Sequence, residues 1–88
     1  NVPSSAIAIK IQDESMQPTF EKNSFVFVEF NSPLDNKDIG LFSLNDKILI
    51  RRFFVKKGKI TLKADDKDIE DILITDADNF YIIGKVLS

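Results

Sequence analysis

The chain has 88 residues, enough for one domain with a single compact core. Twelve basic and fourteen acidic side chains leave a formal charge of -2, without the basic excess that drives phosphate binding, so direct contact with DNA is not expected. It contains no Cys and no His, which excludes a disulfide framework, a thiolate nucleophile, a Cys- or His-based metal centre and a Ser-His-Asp triad within the chain.

Asn1–Ser5 is polar and proline-broken and reads as a linker remnant, followed by one domain over residues 6–88. The first residue is Asn rather than Met, so the sequence reads as part of a longer protein. No basic-then-apolar leader is present and every apolar run is too short to span a bilayer, so no membrane partner is expected and a cytoplasmic location is.

Ala6–Ile11 alternates small and apolar residues and predicts a first strand. Asp13–Phe20 reads as a turn with room for one helical turn. Phe25–Phe30 is rich in aromatic and β-branched residues and predicts a second strand, apolar on both faces and therefore central or at an interface. After the loop Asn31–Lys37, strands over Ile39–Leu44 and Lys47–Val55 flank a hairpin turn at Asn45-Asp46. Alternation along the latter places Leu49, Arg51 and Phe53 on one face and Ile48, Ile50 and Arg52 on the other. Lys56-Lys57-Gly58-Lys59 reads as the next hairpin turn, then a strand to Ala64, an acidic turn over Asp65–Asp71, a short strand at Ile72–Thr75 and a last strand at Phe80–Leu87. No window of a dozen residues shows helical periodicity. The expected fold is mainly β, a coiled, partly open β-barrel of short strands with little helix.

The chemistry concentrates in Ser15-Met16-Gln17-Pro18-Thr19-Phe20. Locally, Ser15 is a turn or capping residue, as is Asp13; Pro18 is a turn former and Met16 a core side chain. The same residues also hold a serine hydroxyl at a turn on a β scaffold, in a Ser-Met-x-Pro arrangement.

That element resembles the nucleophile signature of serine peptidases that use lysine as their base. With Ser24–Val28, Asn36–Phe42, Ile48–Phe53 and Ile82–Val86 following in order, the chain from about Ala6 to its end resembles the C-terminal domain of LexA-type and phage-type repressors, the self-cleaving peptidase-like family related to signal peptidase. The resemblance implies Ser15 as nucleophile, with Met16 and Pro18 supporting its turn. It implies a neutral lysine on the Lys47–Val55 strand, at the position held here by Arg51. A guanidinium stays protonated and cannot take the serine proton, so a fold that keeps the serine but lacks working catalysis is expected. Other candidate bases are Lys10, Lys63, Asp13 and Glu14, with Lys47 and Lys56 less favourably placed at strand ends. The family's glycine-containing turns are replaced here by Lys22-Asn23-Ser24 and by Lys37; Asn23 tolerates the left-handed conformation such a turn needs. Self-cleavage in the family falls at a small dipeptide, often Ala-Gly, ahead of this domain, and no such pair occurs here.

The resemblance further implies a homodimer formed through the late strands, DNA recognition by a helix-turn-helix domain outside this chain, and a recombinase filament as inducer. No cofactor or metal is expected. The basic residues Arg51, Arg52, Lys56, Lys57 and Lys59 read as a solvated hairpin edge balanced by the acidic run Asp65–Asp71, which lacks the ligand spacing of a calcium loop. The expected function is a regulatory and dimerisation domain of a phage-type repressor with an inactive serine site. The alternatives are an active autopeptidase using another lysine, and a signal-peptidase-like processing enzyme.

Overall fold

A computed structural model describes residues 6–87; the Asn1–Ser5 stretch read as linker lies outside the described residues. Among these residues there is no helix. Seven strands form one antiparallel sheet: β1 (Ala6–Lys10), β2 (Phe25–Phe30), β3 (Ile39–Leu44), β4 (Lys47–Lys56), β5 (Lys59–Lys63), β6 (Ile72–Leu73) and β7 (Phe80–Val86). Their order is β1-β2-β7-β3-β4-β5-β6, with β1 and β6 left as edges, so the coiled sheet is not closed. The expected mainly β, partly open architecture is the one observed.

The hairpins follow from turn chemistry. Asn45 and Asp46 have φ of 49° and 70°, and Lys57 and Gly58 have φ of 52° and 76°, the doubly left-handed pattern of two-residue hairpin loops. Asn23 and Lys37 also take positive φ, at 72° and 74°, the conformation expected of the turns there.

β3 lies between β7 and β4 and is covered on both faces. Leu41 joins Ile11, Val26, Val28 and Val86 in one core, while its neighbour Phe42 joins Phe53 and Leu62 in the other. Phe42 stacks on Phe53 and Phe80, with ring centroids 6.1 Å and 5.5 Å apart. A register shift opposite β7 between Leu41 and Phe42 bends the sheet between the two cores. β7 enters between β2 and β3 through Gly84, where an added Cβ would stand 2.6 Å from the Glu29 carbonyl oxygen. β2 is inside the sheet, as its apolar faces implied: Val26 and Val28 are buried, while Phe25 and Phe27 face outward.

Candidate functional site

The Ser15 turn is an excursion from the end of β1, closed at its base by two backbone hydrogen bonds. The Ile11 N–H donates to the Ser24 carbonyl at 2.8 Å, and the Asn23 N–H to the Ile11 carbonyl at 2.9 Å. Inside the excursion the Phe20 N–H donates to the Met16 carbonyl at 2.9 Å, a single α-type turn. Met16 is fully buried and anchors the turn, and Phe20 packs against the core that contains Ile11. Pro18 sits exposed at the tip after a cis peptide bond.

A second segment holds the turn from the far side. The Asp66 N–H donates to the Ser15 carbonyl at 2.9 Å, and the Thr19 hydroxyl donates to the Asp65 carboxylate. Asp65 in turn accepts a two-pronged pair from Arg52, Nε to Oδ1 at 2.9 Å and Nη2 to Oδ2 at 2.8 Å. This is the geometry in which an arginine–carboxylate pair is most specific. The hydrogen bonds from Arg52 dominate in holding the Asp65 carboxyl below its ordinary value, and Thr19 adds to them against the opposing effect of burial. The acidic run is thus only partly a solvated loop: its first two residues lock the serine turn to β4.

Ser15 itself is 2% exposed and Arg51 8%. The Ser15 hydroxyl donates to Asp13 Oδ1 at 2.6 Å and accepts from Arg51 Nη1 at 2.7 Å, while the Ser15 N–H also donates to Asp13 Oδ1 at 3.0 Å. Burial favours a protonated Asp13, but the two Ser15 hydrogen bonds, with the charges of Arg51 and Lys22, outweigh it and keep its pKa below the ordinary value. Asp13 is therefore an ionised hydrogen-bond acceptor and a weak base. Burial lowers the Arg51 pKa and the Asp13 charge offsets part of that; a guanidinium so placed remains a cation.

Alternation along β4 delivers this arrangement, turning Arg51 inward with Phe53 and leaving Arg52 half-buried on the other face. Arg51 Nη1 donates additionally to the Ile50 carbonyl at 2.9 Å, and Arg51 Nε is buried with no acceptor. The expectation of a solvated basic edge therefore holds for Lys56, Lys57 and Lys59, which are exposed, and fails for Arg51 and Arg52, which strand register carries to internal partners.

Sequence reasoning named Ser15, Met16, Pro18 and Arg51 as the site, and all but Pro18 converge below the surface. Among the described residues no lysine amine hydrogen-bonds to Ser15; Asp13 and Arg51 alone do so through the hydroxyl. Lys63 is turned to the other side of β5, 4.9 Å above the Phe54 ring and 3.6 Å from Asp71. Lys47 and Lys56 are exposed at the two ends of β4, and Glu14 is exposed. Lys10 lies on the rim of a cleft of about 100 Å³ beside Ser15, walled by Ile9 and Ile11 on one side and Ile48, Leu49 and Ile50 on the other. Among the described residues no group of three or more acidic side chains is placed to hold a metal ion, and no helix is long and apolar enough to cross a membrane. The parts missed in the sequence were the Asp65–Arg52 fork and the Asp66–Ser15 backbone bond; the charged run that forms them carried only a solvent signal.

Comparison with known proteins places the chain in a family. The chain is 28% identical to the LexA repressor of Acetivibrio thermocellus over 85 residues, covering 96% of this chain and 39% of that protein. It is 32% identical to the LexA repressor of Clostridium tetani over 81 residues, covering 91% of this chain and 39% of that protein. With the LexA repressor of Thermosipho melanesiensis the identity is 28% over 81 residues, 91% of this chain and 40% of the relative. The chain thus spans about two fifths of the length of the curated relatives it matches. Residues 1–87 match the family described as Peptidase S24-like, to which this chain belongs.

Proposed function

We propose that this chain is the regulatory and self-association domain of a cytoplasmic, phage-type transcriptional repressor, and that its serine site no longer cleaves. DNA recognition then belongs to a helix-turn-helix domain of the longer protein. The observation that carries the reading is the 2.7 Å hydrogen bond from Arg51 Nη1 to the Ser15 hydroxyl. Attack by a serine is assisted by an unprotonated base that accepts its proton in the transition state, a contribution of roughly 10²–10⁴-fold. Arg51 holds the hydroxyl by donating to it and has no lone pair to offer. Asp13 accepts the hydroxyl hydrogen, yet its lowered pKa makes it a poor proton acceptor for an alcohol. The polar groups around Ser15 therefore fix a neutral hydroxyl in place.

Self-association is supported by the apolar side chains that the sheet leaves uncovered. On β7, Tyr81 is 61% and Ile82 46% exposed, and on β2 Phe25 is 65% exposed. Side chains of this kind are enriched where protein surfaces pair.

Two measurements on the full-length protein test the reading. Incubation at high pH, and separately with an activated recombinase filament, is expected to leave it intact; prompt cleavage that Ser15→Ala abolishes overturns the inactive site and favours an autopeptidase using another lysine. Sedimentation at micromolar concentration is expected to give a dimer that Tyr81→Asp weakens, and a strict monomer overturns the self-association role.

A further inference from the structure

The β4–β5 hairpin treats its two basic cross-strand pairs differently. Arg52 stands opposite Lys63, and each has a carboxylate, Asp65 at 2.8 Å and Asp71 at 3.6 Å. Lys56 stands opposite Lys59 at the last rung, with Lys57 in the turn beyond them. All three are exposed, and none forms an ion pair among the described residues. Like charges directly opposite each other on paired strands repel. The acidic run does not balance them, because its carboxylates that meet cations are spent on Arg52 and Lys63.

Lys37 adds a fourth exposed ammonium with no ion pair among the described residues. Its backbone is clamped to β4: the Lys37 N–H donates to the Phe53 carbonyl at 2.7 Å, and its carbonyl accepts from Arg52 Nη1 at 2.7 Å. Lys37 and Lys57 hold φ of 74° and 52°, left-handed positions that glycine or asparagine fills at lower cost. Alternation turns Phe54, Lys56 and Lys63 away from the core that holds Phe53 and Leu62. On that outer face Lys37, Lys56 and Lys63 line a groove of about 380 Å³, and no acidic residue lines it.

We infer that this face contacts the phosphate backbone of duplex DNA without reading sequence, through Lys37, Lys56, Lys57 and Lys59. The contact adds to the recognition assigned to the domain outside this chain. It rests on the repressor reading, in which that domain holds a duplex at high effective concentration beside this one. The formal charge of -2 is an average over the chain, and this face departs from it. Residue type selects the occupant. Protein interfaces are depleted of lysine and enriched in arginine, whereas the free cations here are lysines and the arginine is already paired with Asp65. Single strands bind by stacking bases on aromatic rings, and the ring in this groove, Phe54, already carries the Lys63 ammonium 4.9 Å from its centroid. Lysine ammoniums are compact charges on flexible stems, suited to phosphate contacts that release counterions.

The test measures affinity of the full-length protein for a duplex of arbitrary sequence by fluorescence anisotropy, from about 50 to about 200 mM salt. Lys56→Gln with Lys59→Gln is compared with Lys47→Gln with Lys67→Gln, a pair of exposed lysines elsewhere with the same change in net charge. Both variants are confirmed folded by their spectra. The hairpin variant is expected to bind on the order of tenfold more weakly at low salt, its log–log salt slope shallower by roughly 0.9 per lysine removed. The control pair is expected to match the parent. Duplex binding that the hairpin variant leaves unchanged, or that both variants weaken equally, overturns this contact and leaves the repressor reading standing. No duplex binding by the unaltered protein overturns the repressor reading as well. Poly-glutamate or a single strand of matched charge, bound more tightly than the duplex and lost with the hairpin lysines, also overturns it, in favour of an acidic protein or a single-stranded partner.

Discussion

Asp65 receives both prongs of the Arg52 guanidinium, and the next residue, Asp66, donates its N–H to the carbonyl of Ser15. An acidic loop that looks solvent-facing therefore ties β4 to the serine turn. Asp65 has a depressed folded pKa, so its contribution to stability is fully present above the ordinary carboxylate value of 3.8 and is lost as pH falls through the folded value. Asp65→Asn is expected to lower stability at pH 7 and to show a flatter loss in acid, the two unfolding curves converging below the ordinary carboxylate range. Urea melts between pH 7 and pH 2 check this, and parallel curves at all pH values contradict it.

Ser15 is structural in this fold whatever else it does. Ser15→Ala deprives Asp13 of one of its two donors and Arg51 Nη1 of one of its two acceptors. Asp13 is exposed and each partner keeps one other hydrogen bond, so the loss is expected near the net value of a hydrogen bond, about 1 kcal/mol. Chemical denaturation should show that loss with an unchanged slope. A neutral substitution would mean that the hydroxyl is dispensable to the site.

Arg51→Met tests the cost of the buried charge. The substitution removes the orphaned Nε and the desolvation of a cation while retaining much of the side-chain volume. Ser15 keeps its bond to Asp13. Among the described residues no carboxylate is paired directly with Arg51, so its removal strands no buried counter-charge, and the variant is expected to be at least as stable as the parent. A thermal melt that falls by many degrees would show instead that the guanidinium hydrogen bonds hold the core together.

Two glycines separate crowding from backbone strain. An added Cβ at Gly84 would meet the Glu29 carbonyl oxygen at 2.6 Å and Val28 Cγ1 at 2.8 Å, where β7 passes β2. Gly84→Ala should cost several times more than Gly58→Ala. At Gly58 the space is open and only the φ of 76° is penalised, at about 1–2 kcal/mol. Equal losses in denaturation midpoint would contradict the register between β2 and β7.

The strands were legible because each carries its own signal. Phe25–Phe30 occupies the expected limits because its dense aromatic and β-branched residues end abruptly at turn formers, and Ile39–Leu44 does so because the Asn45-Asp46 turn closes it. Ile72–Thr75 shortens to Ile72–Leu73 because only Thr61 and Leu62 of β5 face it. Arg51 was singled out through the resemblance alone, and its inward face, which brings it to the Ser15 hydroxyl, followed from alternation. The insertion of β7 between β2 and β3 was not legible, because pairing between strands remote in sequence leaves no local trace. The same holds for the Asp65–Arg52 fork: a charged run signals solvent, and only the tertiary register shows that its first residue meets a cation.

Restoring a titratable amine should restore reactivity. Arg51→Lys places a group that can lose its proton under burial beside the same hydroxyl. Labelling of Ser15 by a fluorophosphonate is expected to rise on the order of 10²-fold above the Ser15→Ala background and to climb with pH. No gain in a folded variant would mean that more than the base has been lost.

The most direct test uses the unaltered full-length protein. Fluorophosphonate labelling of Ser15, located by peptide mass analysis, is followed from pH 6 to pH 10 against a Ser15→Ala background. A guanidinium that donates to the hydroxyl and accepts nothing predicts no labelling above background at any pH. Saturable labelling of Ser15 that climbs with pH would contradict it, because a proton acceptor would then be at work beside the serine.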